Sequence, residues 1–106
     1  MRRHKFDRQA VEDLNAQVDY LTSKDAFGAA ERLQARVLQF VERLCDHPAM
    51  GRFLEHRGLW ELWIPNTRLV LWYRYNDEHL EVVRVWHTSR DRERAPDDRS
   101  PGLNET

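Results

Sequence analysis

His87 stands out for its chemistry, because an imidazole exchanges protons near neutral pH and can act as a general acid or base. Several arginines lie in or beside the same stretch, and guanidinium groups can hold phosphodiester oxygens in bidentate contacts. These are Arg68, Arg74, Arg84 and Arg90. The pattern allows a phosphate-cleaving site. It also allows a histidine that ends a strand and hydrogen-bonds to backbone or to a carboxylate, which is the more common case for a strand-end histidine.

The arginines and tryptophans have two interpretations each. Arg68, Arg84 and Arg90 are candidates for contacting a target or its phosphates. Strand arginines also pair with acids across a sheet, and Glu61 and Glu81 are available for that. The tryptophans could stack on bases, but in strands they are more often core or interface anchors, so we expect them to bind a partner. They are Trp60, Trp63, Trp72 and Trp86.

Composition narrows the function classes. Cys45 is the only cysteine, which precludes an internal disulfide and fits a reducing compartment. It forms no recurring metal-ligand spacing with the histidines, and the glycines are scattered, so we predict no metal site and no cofactor. The formal net charge is −1, and no apolar run approaches the ~20 residues that span a bilayer. We expect a cytoplasmic protein without membrane contact.

The strands that position these residues are predicted within residues 59–91. Three runs rich in β-branched and aromatic residues, 59–64, 68–75 and 79–87, are separated by turn residues, which predicts an antiparallel meander. Strict alternation in the third run places Leu80, Val82, Arg84 and Trp86 on one face of the sheet. It places Glu81, Val83, Val85 and His87 on the other face. Neither sheet face is cleanly polar, which predicts that a loop or a partner covers part of the second face.

Two helices are predicted before the meander, over residues 8–21 and 26–46, because apolar residues recur every three or four positions. Asp7 should cap the first, and Pro48 should stop the second. Residues 49–58 are predicted to be a loop, and residues 2–6 a strand or an arm. The short connection predicts a helical hairpin packed on the sheet, an α+β domain over residues 1–91. Residues 92–106 have the composition of a disordered tail.

Five segments together resemble toxins of the RelE/ParE superfamily, the stable partners in bacterial type II toxin–antitoxin modules. The match runs over roughly residues 6–91, and each segment is weak alone. They are Ala10-x-x-Asp13-Leu14, Leu44-x-x-x-Pro48-x-x-Gly51, Glu61-Leu62-Trp63-Ile64-Pro65, Thr67-Arg68-Leu69-Val70-Leu71-Trp72-Tyr73-Arg74 and Val83-Arg84-Val85-Trp86-His87-x-x-Arg90-Asp91. The resemblance implies a β-α-α-β-β-β fold.

The superfamily contains two activities, and the resemblance leaves both open. RelE-like members cleave messenger RNA on the ribosome, which here would use His87, Arg74, Arg90 and Tyr73. ParE-like members inhibit DNA gyrase without a complete nuclease site. The ending of the last segment looks more ParE-like, and a near-neutral chain is unusual for a protein docking on ribosomal RNA. Trp60 is a departure, since many ParE relatives have arginine there.

The resemblance therefore implies a ParE-like toxin that inhibits growth by binding a target such as DNA gyrase. A cognate antitoxin would neutralise it in a hetero-oligomer. The first alternative is a RelE-like, ribosome-dependent mRNA endonuclease, so enzymatic activity stays open at this stage. The second is a non-toxic interaction domain with the same fold.

Overall fold

The structure, a computed structural model, describes residues 2–88 and contains two helices against a five-stranded sheet. The elements are β1 (Arg3–Phe6), α1 (Arg8–Ser23), α2 (Phe27–Asp46), β2 (Arg52–Leu54), β3 (Leu59–Trp63), β4 (Leu69–Tyr75) and β5 (His79–His87). The strand order is β1-β5-β4-β3-β2. The predicted α+β arrangement of a helical hairpin on a meander is confirmed. Arg90 and the predicted tail, residues 92–106, lie outside the described residues.

The helices form where the apolar periodicity predicts them. Asp7 caps α1, since its carboxylate accepts the backbone N–H of Gln9 at 3.1 Å. α2 is followed by a short 3₁₀ turn that begins at Pro48. The apolar side of α2, which includes Val41 and Leu44 at 0% exposure, packs against one face of the sheet. Each fully buried side chain of this kind contributes about 1.5–3 kcal/mol.

The sheet has one more strand at each edge than the predicted three-stranded meander. β1 pairs in parallel with β5, from Arg3↔His79 to Phe6↔Val82, which answers the question that the sequence left open. The prediction of a loop over residues 49–58 is wrong at β2, which pairs antiparallel with β3. A strand of three residues is too short to show a period, and its pairing with β3 is what makes it a strand.

A β-bulge in β5 changes which residues share a face. Trp72 is opposite Arg84 while the next residue, Tyr73, is opposite Val82, so Val83 is an extra residue without a partner. Val82 and Val85 are both 0% exposed and belong to the same core. The predicted strict alternation along β5 placed Val82 and Val85 on different faces of the sheet, so it is wrong beyond the bulge.

The second face of the sheet, away from the helices, is only partly covered. We call it the outer face. Val70 is 0% exposed there, between its register neighbours Trp63 and Trp86. The loop between β2 and β3 places the Arg57 guanidinium carbon 4.8 Å from the Trp72 ring centroid. A loop thus covers part of this face, as predicted, and Trp63 remains 60% exposed.

Candidate functional site

Arg84, a predicted target contact, is held by the first helix. Its Nε and Nη2 donate to the two carboxylate oxygens of Asp13 at 2.7 and 2.9 Å. Asp13 also accepts the backbone N–H of Val85 at 2.9 Å, so one carboxylate closes the β5 edge just after the bulge. The side chains of Arg84 and Asp13 are 25% and 15% exposed. This arrangement fastens α1 to β5.

Tyr73, a candidate nuclease residue, lies in the core at 0% exposure. Its hydroxyl donates to the carbonyl of Pro48 at 2.7 Å and accepts the N–H of Gly51 at 3.1 Å. Burial raises the pKa of the Tyr73 phenol to about 12. The group is therefore a neutral bridge between β4 and the segment after α2.

Arg74 and His87 lie at opposite ends of the sheet. Arg74 donates to Glu81 at 2.9 Å across β4 and β5, the cross-strand pairing that the sequence allowed. His87 is opposite Leu69, five residues before Arg74 on β4. At ~3.4 Å per residue that is about 17 Å. Among residues 2–88, the nuclease candidates therefore do not converge, and Arg90 lies beyond them.

His87 and Arg68 instead line a cavity of about 330 Å³ between the helical hairpin and the β3–β4 turn. We call it the basic groove. Two helix arginines add positive charge to that of Arg68, and leucines and an alanine supply apolar walls. Its lining includes Tyr20, Leu21, Arg32, Leu33, Arg36, Arg68, Leu69 and His87. Within residues 2–88, no aspartate or glutamate lines it.

Arg32 and Arg36 did not emerge from the sequence as site residues. They occupy the polar side of α2, which a sequence pattern cannot distinguish from an ordinary solvated face. The available signal was their spacing, since like charges four residues apart repel on a helix.

The tryptophans divide between the two sheet faces. Trp60 packs in an aromatic cluster on the helix side, 5.3 Å from Phe53 between ring centroids. Trp72 donates its Nε1–H to Glu61 at 3.1 Å and meets Trp86 edge to face at 5.7 Å. The Trp86 Nε1–H is buried, and no residue within 2–88 accepts it. Three tryptophans, Trp63, Trp72 and Trp86, thus share the outer face.

The described part of the chain contains neither a cluster of metal-ligating side chains nor a membrane-spanning helix. Within residues 2–88, no three histidine, cysteine, aspartate or glutamate side chains gather as metal ligands would. No helix in that range has the length and apolar character to cross a bilayer.

Similarity to known proteins agrees with the architecture. Residues 5–92 match the family described as the ParE toxin of the type II toxin–antitoxin system parDE. A solved structure, the "Chromosomal ParDE TA system from P. aeruginosa", is similar in fold with a TM-score of 0.71. It is 20% identical, and the superposition covers 82% of this chain and 96% of that one. No curated protein is significantly similar in sequence.

Proposed function

We propose that this chain, which belongs to the ParE toxin family of type II toxin–antitoxin systems, arrests growth by binding and inhibiting DNA gyrase. A cognate antitoxin would neutralise it in a hetero-oligomeric complex. The action would be in the cytoplasm, and it would require no chemistry from the toxin itself.

The observation that carries the proposal is the separation of the nuclease candidates. A general acid or base must lie within hydrogen-bond reach of the proton it transfers. Tyr73 is enclosed by Pro48 and Gly51, and Arg74 is paired with Glu81. His87 is about 17 Å from Arg74 along the strand direction. This geometry supports inhibition by binding rather than RNA cleavage.

The outer face supports a protein partner. Trp63 leaves a large aromatic side chain 60% exposed, and the buried Trp86 Nε1–H lacks an acceptor within residues 2–88. Aromatic side chains are preferred anchors of protein interfaces, and Trp63 supplies one that a partner can reach. We assign Trp63 and Trp86 to this surface, whereas Trp72, which is 6% exposed beneath Arg57, supports Trp86 from within the sheet. Trp60, on the other face, fits a supporting role better.

The decisive experiment measures negative supercoiling by purified DNA gyrase with and without the purified toxin. We expect supercoiling to fall as toxin is added, and expression of the toxin alone to arrest growth. Unchanged supercoiling at a dose well above that of the enzyme would refute the gyrase target. Growth that continues normally would support the non-toxic interaction domain instead.

Substitution of His87 separates binding from cleavage. His87→Ala should retain growth arrest and leave cellular messages intact, because the proposed mechanism transfers no proton through this residue. His79→Ala, at the other end of β5, is the matched control. If His87→Ala loses both toxicity and message cleavage while His79→Ala keeps both, the toxin is an endonuclease and the proposed binding mechanism is wrong.

A further inference from the structure

We infer that the basic groove is an acidic-peptide site, which receives a carboxylate-bearing segment of the neutralising antitoxin. This inference rests on the proposed function, because it names the surface and the chemistry by which that antitoxin would be recognised. It concerns a different surface from the tryptophans of the outer face.

Three arginines line the groove. Arg32 and Arg36 lie one helical turn apart on α2, and neither has an ion pair within residues 2–88. Arg68 faces them from the β3–β4 turn and His87 from the end of β5. Since no carboxylate of residues 2–88 lines the groove, these residues concentrate positive potential in a concave surface where the field is focused. Such a site favours an anionic group.

The walls identify which kind of anion fits. Leu21, Leu33 and Leu69 line the same cavity as the arginines, and Leu69 is 2% exposed. Tyr20 adds an aromatic ring that is 38% exposed. A groove with apolar walls and a cationic rim matches a polypeptide that alternates apolar and acidic side chains. Bidentate arginine contacts would fix the carboxylates.

Nucleic acid fits less well. Its binding is driven by neutralising many phosphates, which requires an extended basic surface. This chain has a formal net charge of −1, and the groove encloses only about 330 Å³. That volume accommodates a few side chains of a peptide rather than a run of nucleotides.

The test uses fluorescence anisotropy with the full-length toxin and three labelled probes. The first is a short peptide that alternates glutamate and leucine, the second has glutamine in place of glutamate, and the third is a single-stranded oligonucleotide. The acidic peptide should bind the most tightly, and its affinity should fall with added salt. Arg32→Gln combined with Arg36→Gln should weaken that binding about tenfold or more.

A matched double variant controls for total charge. Arg3→Gln combined with Arg8→Gln removes the same number of charges from exposed sites outside the groove, and should leave peptide affinity within about twofold. Circular dichroism of both double variants checks that each is folded. Equal binding of the two peptides, tighter binding of the oligonucleotide, or equal losses in the two double variants would overturn the inference.

Growth arrest distinguishes this inference from the proposed function. The groove variant, expressed alone, should still arrest growth, because neutralisation and not target binding uses these arginines. A folded groove variant that no longer arrests growth would show that the groove faces the target, and would overturn the inference. If the wild-type toxin fails to arrest growth, the proposed function fails while the peptide measurements still decide the chemistry of the groove.

Discussion

Asp13 makes the clearest single-residue contribution in the fold. Its carboxylate satisfies Arg84 at two atoms and the backbone N–H of Val85, all partly shielded from water. Asp13→Asn keeps the shape but replaces one acceptor oxygen by a donor and removes the charge. We expect the free energy of unfolding to fall by about 1–3 kcal/mol, as for other charge-assisted hydrogen bonds with little exposure.

Glu12 offers a control beside Asp13. Its ion pair with Arg8 is long, at 3.6 Å, and both side chains are largely exposed. Glu12→Gln should therefore change stability by no more than about 0.5 kcal/mol. Urea unfolding of both variants measures the contrast, and equal effects would contradict the role assigned to Asp13.

Tyr73 makes stability depend on pH in the alkaline range. Burial raises its pKa from 10.0 to about 12, so the folded state favours the neutral phenol. That contribution is fully present below pH 10 and is lost as pH rises through the folded pKa. A shift of this size corresponds to roughly 3 kcal/mol. Tyr73→Phe should lower stability at neutral pH, because the Gly51 N–H and the Pro48 carbonyl lose their partner.

The measurement for Tyr73 is urea unfolding between pH 9 and 12. The wild-type protein should lose more stability across this window than Tyr73→Phe does, while other groups titrate alike in both. Parallel pH profiles would contradict the assignment of this step to Tyr73.

At the scale of elements, the sequence was informative wherever a pattern repeats. The apolar stripe predicted a second helix over residues 26–46, and α2 is Phe27–Asp46. The β-branched runs likewise predicted β3, β4 and β5 to within a residue at each end. β2 and the bulge at Val83 were missed because pairing with neighbouring strands decides them.

Only some residues of the candidate site could likewise be predicted from the sequence. His87 and Arg68 could be named from residue type and position, and the structure brings both to the basic groove. Arg32 and Arg36 could not, because only the packing of the hairpin brings them to the same groove. The sequence marked Arg84 as a candidate target contact and Trp72 as a candidate partner contact. Their hydrogen bonds to the carboxylates of Asp13 and Glu61 are visible only in the three-dimensional structure.

The segment between α2 and β3 yields a prediction at this scale. A Cβ on Gly51 would lie 2.5 Å from both the Glu61 carbonyl oxygen and the Tyr73 hydroxyl. Gly51→Ala must therefore displace the connection from α2 to β3, and should destabilise the protein by about 1–3 kcal/mol. Gly28→Ala is the control, since its Cβ would meet only the flexible end of Arg32 at 3.2 Å. Thermal unfolding should separate the two variants, and a neutral Gly51→Ala would contradict the close packing.

At the scale of the whole molecule, the helices cover one sheet face and leave two separate surfaces available. The basic groove lies where the hairpin meets the end of β5, and the outer face presents Trp63, Trp72 and Trp86. Because the sheet separates them, a partner that contacts both must wrap around the domain. An extended polypeptide can do this more readily than a compact one.

Trp63 tests the outer face as a partner surface. At 60% exposure its removal exposes little core, so Trp63→Ala should lower the free energy of unfolding by less than about 1 kcal/mol. As an interface anchor it should cost about 2 kcal/mol or more of partner binding, roughly thirtyfold in Kd. Phe53→Ala, which removes an aromatic side chain that is 46% exposed and packs on Trp60 on the helix side, is the matched control. Calorimetric titration of each variant with the separately purified antitoxin, and with gyrase, measures the affinity for each of these two partners. Because Phe53 and Trp63 lie on opposite faces of the sheet, only the Trp63 variant should lose affinity, and equal losses would place the partner elsewhere.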